Sequence, residues 1–162
     1  MPRGSGFETR RQACIGSCYA GGAGSGAQIV GCPIICMRNE PVTRDEWKSL
    51  HQMPKSCATI SVSRHFSATE VEKIKLGFRP ADMDDKWIIF FEKDRLYIHR
   101  SWTGYCIYIV RFDRGGEDYV ACEVQANRCS DQYKSSDDSY DVQMAFWVID
   151  FILLRRLDAR MP

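Results

Sequence analysis

Between Lys86 and Asn127 the chain strings together four short runs rich in Ile, Val, Tyr, Phe and Trp, separated by Lys93-Asp94, Thr103-Gly104 and Gly115-Gly116. β-Branched and aromatic residues suit a pleated, half-buried surface, and turn residues between such runs mark hairpins. Strands are therefore expected over 86–92, 95–102, 105–112 and 118–127. No other part of the sequence constrains the fold as much, because a sheet of consecutive hairpins needs a second layer to cover its apolar face.

Two helices supply that layer. In Phe66-Ser67-Ala68-Thr69-Glu70-Val71, Ser67 takes the N-cap and Glu70 the third helical position, a capping box with Phe66 placed to staple onto Val71. Gly77 sits where a left-handed cap ends a helix, and Pro80 follows, which predicts a helix over 68–76. Residues 128–138 are polar and read as a loop. Asp138 or Ser139 then opens a helix to about Leu157, with Arg155 and Arg156 suited to its negative end. Its run from Met144 to Leu154 is broken only by Asp150, so burial on more than one side is expected. Asp150 itself either marks a solvated edge, pairs with an arginine, or serves as a pocket carboxylate. The expected architecture is α+β: a mainly antiparallel sheet of four or more strands, with a short N-terminal helix and a long C-terminal helix packed on it.

At 162 residues the chain suits one domain. The expectation is a single α+β domain over 46–158, preceded by a poorly ordered Gly/Cys-rich extension over 1–45. Gly21 and Gly26 have the spacing of a phosphate loop, but Ala27 and Gln28 stand where its lysine and hydroxyl belong, which favours a linker. Cys14, Cys18, Cys32 and Cys36 form two pairs with three intervening residues each, a weak zinc signal, and no metal or cofactor is expected. Ile29-Val30-Gly31-Cys32 resembles a lipoprotein cleavage box without the apolar segment it needs. Cys106 and Cys122 fall within strand patterns and read as reduced core residues, consistent with a cytoplasmic location. His51, His65 and His99 lack metal-ligand spacing. A Cys-His nucleophile could still assemble in space, but nothing selects one pair. With 22 basic and 21 acidic side chains, neither nucleic acid nor a membrane is an expected partner. No run of 18 apolar residues occurs.

Two-residue turns at 93–94 and 103–104 would pair Trp87 with Arg100, Ile89 with Ile98, Phe91 with Leu96, Arg100 with Ile107 and Ile98 with Ile109. Pairing Phe112 with Asp118 would set Ile107 against Glu123 and Tyr105 against Gln125. One face then carries Ile89, Phe91, Leu96, Ile98, Ile107 and Ile109 at one end. The other end carries Trp87, Arg100, Trp102, Tyr105, Glu123, Gln125 and Asn127. A slip of one residue would exchange the faces.

Arg100 occupies a place that the alternation marks as apolar. It is expected to stack on Trp87 and approach Glu123. Two consequences remain open: a satisfied Arg-Glu pair roofed by tryptophan, or an aromatic-walled pocket whose arginine takes a phosphate or carboxylate. The candidate ligand-binding residues are Trp87, Arg100, Trp102, Tyr105, Glu123 and Asn127; no catalytic residue is assigned.

Three strings, Phe66-Ser67-Ala68-Thr69-Glu70-Val71-Glu72-Lys73-Ile74, Met83-Asp84-Asp85-Lys86-Trp87 and His99-Arg100-Ser101-Trp102-Thr103-Gly104, resemble an uncharacterised bacterial domain family. Such domains occur alone or near ADP-ribose-processing enzymes. The resemblance implies a nucleotide-like or ADP-ribose-like ligand and carries over no catalytic residue. The alternative is an interaction or immunity-type protein without a small ligand. A hydrolase using Glu123 is a third reading.

Overall fold

The computed structural model describes residues 40–162. The phosphate-loop, zinc and lipoprotein alternatives, and most of the 1–45 extension, lie outside the described residues. Residues 42–45, which the sequence reading assigns to that extension, pack on the domain together with Glu46. Val42 is buried and donates its N–H to the Leu76 carbonyl at 2.9 Å, and Glu46 pairs with Arg79 at 2.5 Å.

Five strands make one antiparallel sheet in the order β1-β5-β4-β3-β2: β1 Cys57–Phe66, β2 Trp87–Glu92, β3 Arg95–Arg100, β4 Cys106–Gly115 and β5 Asp118–Asn127. Two helices complete the α+β fold, α1 Ala68–Leu76 and α2 Asp138–Trp147, and α2 continues as a π-helical turn, Val148–Leu153. Strand β1 is an addition to the four runs expected from sequence. Its Ile60, Val62 and Phe66 alternate with Ser and Thr, a strand pattern in which Arg64 takes an apolar place.

The capping box of α1 forms as expected. Ser67 N–H donates to Glu70 at 2.9 Å, and Glu70 N–H returns to Ser67 Oγ at 3.3 Å. In α2 the cap is Asp137, one residue earlier than expected, with Oδ1 accepting from Ser139 and Tyr140 N–H. The final helical segment stops at Leu153 rather than Leu157. Leu154 N–H bonds back to the Ile149 carbonyl, five residues away, and Arg155 has φ +56°, which breaks the helical path. Asp150 pairs with an arginine, in fact with two: Arg64 at 2.7 Å and Arg156 at 2.6 Å. Arg156 also reaches Glu70, so the clamp joins α1 to the π turn.

The helices bury Val71, Ile74, Met144, Ala145, Val148 and Ile149 with the sheet face bearing Ile89, Leu96, Ile98, Tyr108, Val110, Val124 and Ala126. The register between β2 and β3 is the expected one, with Trp87 opposite Arg100 and Ile89 opposite Ile98. Beyond β3 the expected pairing fails twice. The turn after Arg100 is longer than Thr103-Gly104, and Ile107 forms a bulge. Tyr108, not Ile109, therefore faces Ile98, and Val110 faces Leu96. The last hairpin turns at Gly116-Glu117 with Gly115 opposite Asp118, and a second bulge at Cys122 reverses the alternation of β5. Ala121 and Val124 both enter the core, three residues apart, and Glu123 pairs with Arg111 instead of Ile107. No helix among the described residues is long and apolar enough to cross a membrane.

Candidate functional site

The expected stacking of Arg100 on Trp87 is present, with the guanidinium carbon 4.3 Å from the ring centroid. The expected Glu123 partner is absent from it. The Cys122 bulge puts Glu123 on the other face, where it accepts from Gln125 at 3.0 Å and lies 3.9 Å from Arg111. Asn127 is also turned to another task. It is buried, donates to the Cys106 carbonyl at 2.8 Å and to Gln132 at 2.9 Å, and accepts from Cys129 N–H at 2.8 Å. These bonds use its amide to shape the loop after β5.

Trp87, Arg100, Trp102 and Tyr105 do come together. Three adjoining hollows of about 380, 390 and 390 Å³ meet at Arg100, which lines all of them. The first is largely aromatic, walled by Trp87, Tyr140, Met144, Trp147 and Phe151, and its charged lining is Asp84, Asp85, Lys86 and Arg155 besides Arg100. The second is walled by Tyr108, Gln132, Tyr133 and Lys134. The third is walled by Lys86, Trp102, Tyr105 and Asp131. The sequence reading missed Tyr140, Met144, Trp147 and Phe151, although their spacing places them on one stripe of the last helix.

Local bonds hold this end of the sheet in place. Ser101 Oγ donates to the Asp85 carbonyl at 2.6 Å and its N–H to the Lys86 carbonyl at 3.1 Å; Trp102 Nε1 donates to the Met83 carbonyl at 3.0 Å. The strings around Met83-Asp84-Asp85 and Ser101-Trp102 thus meet at one groove. Arg100 N–H donates to the Tyr105 carbonyl at 3.0 Å, and Gly104 N–H to the Arg100 carbonyl at 2.8 Å.

Among the described residues no carboxylate pairs with Arg100, whereas Arg64, Arg79, Arg111, Arg128 and Arg156 all have one. An arginine half-buried against tryptophan and unpaired in this way keeps its planar donors available for a phosphate or carboxylate.

Behind the second hollow lies a polar cluster that the sequence did not announce. Asp141 is fully buried on α2. Its carboxylate accepts from Tyr108 at 3.0 Å, Tyr133 at 2.7 Å and Arg128 at 2.6 Å. Burial pushes the Tyr133 hydroxyl up to about 12 and Tyr108 further still, so both phenols stay protonated.

On the opposite face, His99 and Cys106 are paired across β3 and β4, and both are buried. They do not resemble a nucleophilic pair, because burial pushes the Cys106 thiol up to about 12 and a thiol is a poor nucleophile. Cys122, at its bulge, is half-buried. His99 Nδ1 bonds the Gly104 carbonyl at 3.0 Å, and Nε2 has no partner among the described residues. Burial holds this imidazole below its ordinary value of 6.5, with Arg44 and His51 adding repulsion against the opposing pull of the Gly104 carbonyl. A depressed folded-state value means that stability is full above pH 6.5 and declines as pH falls from there toward the folded value. Urea midpoints measured from pH 7.5 to 5 should fall over this window, and a His99→Gln variant should lack that slope. An unchanged slope in the variant would remove His99 as its source.

Among the described residues no three His, Cys, Asp or Glu side chains group to hold a metal ion. Comparison of the chain with protein-family models, curated proteins and solved structures found no match.

Proposed function

We propose that this domain binds a small anionic ligand carrying an aromatic ring, of the nucleotide-like or ADP-ribose-like class, in the groove centred on Arg100. The observation that carries this reading is Arg100 itself: stacked on Trp87, without a carboxylate partner among the described residues, and common to all three hollows. Its guanidinium would take the phosphate, with Lys86 and Lys134 adding positive charge at either side. The aromatic stripe of α2 would receive the base. The resemblance of the three strings to a domain found near ADP-ribose-processing enzymes supports the same class. No reaction is proposed.

Thermal melts with AMP, ADP, ATP and ADP-ribose in turn test this. At least one should raise Tm, since a ligand at a hundred times its Kd adds about 2.7 kcal/mol of stability. No stabilisation by any of the four would count decisively against it. Arg100→Gln should lower the affinity of the stabilising ligand at least about tenfold, the loss of charge-assisted bonds. The same variant should lose only about 1–2 kcal/mol of stability, between the scales of exposed and desolvated cation–π contacts. Calorimetric titration and urea unfolding read the two separately.

A second reading is favoured by one feature of the surface. Trp102 and Met83 are 68% and 74% exposed and adjoin each other at the rim of the groove. Such a pair would suit an interaction or immunity-type protein whose partner, rather than a small ligand, covers the turn. That reading predicts that no nucleotide shifts the melt.

A further inference from the structure

Tyr108, Tyr133 and Asp141 form a triangle of three oxygens. The two hydroxyls lie 2.5 Å apart, and Asp141 Oδ1 is 3.0 Å from Tyr108 and 2.7 Å from Tyr133. A phenol has one proton to donate. Two protons therefore serve three contacts, and any arrangement that bridges two of the three directs both inward. Arg128 and its pair with Asp141 at 2.6 Å hold the carboxylate from the far side, and Arg128 is in turn held by Asp138 at 2.5 Å. Both tyrosines line the second hollow, but Tyr108 is fully buried, so it is the half-buried Tyr133 whose hydroxyl is left with a lone pair only on that side. With both hydroxyls pushed up to about 12 or beyond, this acceptor character holds across the physiological range.

The same hollow is lined by Arg100 and Lys134, cations that can only donate. One wall thus asks for an anion, and the other asks for a hydrogen-bond donor. We infer that Tyr133, its proton turned inward by Tyr108 and Asp141, is a specificity element that accepts a hydrogen bond from a hydroxyl-bearing part of the ligand, with the sugar hydroxyls of a nucleotide as the class that fits. This rests on the reading of the Arg100 groove as an anion site. A group that bears only acceptors would leave the Tyr133 lone pair desolvated and unmatched, and the hollow would select against it.

The experiment compares AMP with 2′,3′-dideoxy-AMP by calorimetric titration on the full chain and on its Tyr133→Phe variant. The wild-type chain should prefer AMP by about tenfold, the scale of one hydrogen bond. The variant should lose most of that preference while its affinity for the dideoxy compound changes little. Tyr108 and Arg128 still hold Asp141 in the variant, and a far-ultraviolet spectrum and melt check that it folds. Equal wild-type affinity for the two compounds would overturn the inference and leave the groove reading standing. A preference that survives in folded Tyr133→Phe would also overturn it. Binding of neither compound at millimolar concentration would remove the nucleotide reading and this inference with it.

Discussion

Asp141→Ala should destabilise the domain by about 3 kcal/mol, the scale for removing one member of a buried ion pair. The carboxylate is fully buried and satisfies three donors, from Tyr108, Tyr133 and Arg128. Its removal leaves two hydroxyls competing for one another and Arg128 with Asp138 alone, a carboxylate at the surface. Asp141→Asn keeps the shape and one acceptor oxygen, so it should cost less, on the order of 1–2 kcal/mol. Urea unfolding of both variants, with m-values compared to detect a loosened native state, reads the difference. A loss below about 1 kcal/mol for the alanine variant would mean that the cluster is not the staple between β4, α2 and the loop after β5 that its bonds describe.

Gly104→Ala should be comparably severe for a different reason. Gly104 has φ +69°, where an L side chain costs about 1–2 kcal/mol. A Cβ there would also overlap the Ser49 carbonyl oxygen, a backbone atom that no rotamer change can withdraw. The Gly104 carbonyl accepts from His51 N–H at 2.9 Å and from His99 Nδ1 at 3.0 Å, so shifting Gly104 away from Ser49 strains both bonds. The combined loss should reach about 3 kcal/mol or more, since forced overpacking adds about 1–3 kcal/mol. Gly116→Ala is the control. Gly116 has φ +74° but nothing within 4 Å of the added carbon, so only the backbone cost applies. Equal losses in the two variants would show that the contact with Ser49 contributes nothing.

Much of the groove was legible, and the parts that were not share one cause. Trp87 and Arg100 sit on adjacent strands joined by a two-residue turn, where a local signal sets the register, and they stack as expected. Trp102 and Tyr105 belong to the next turn and line the same groove as Arg100. Glu123 lies two hairpins further on, so each undetected irregularity between them compounds. The bulges at Ile107 and Cys122 each insert one residue, and one residue is enough to exchange the faces of everything that follows. Asn127 is buried in loop-building bonds for the same reason: its strand reached the end of the sheet in another phase.

Arg64 and Arg100 both occupy apolar places in a strand pattern, yet their fates differ. Arg64 meets Asp150 and stacks on Phe66 and Phe146, so it is satisfied within the fold. Arg100 meets Trp87 and open space. Nothing in the local pattern separates the two, because the partner of Arg64 is supplied by a residue 86 positions away.

The α+β class, the capping box of α1, the tight hairpin of β2 and β3, and the stack of Arg100 on Trp87 could all be read from the chain before it is folded. Each depends on residues close along the chain, where alternation, capping and turn chemistry act directly. That β1 pairs with β5, that the bulges turn Glu123 away, that Asp141 gathers two phenols and an arginine, and that Arg100 faces a groove emerge only in the folded molecule. These depend on which distant side chains the packed layers bring within reach.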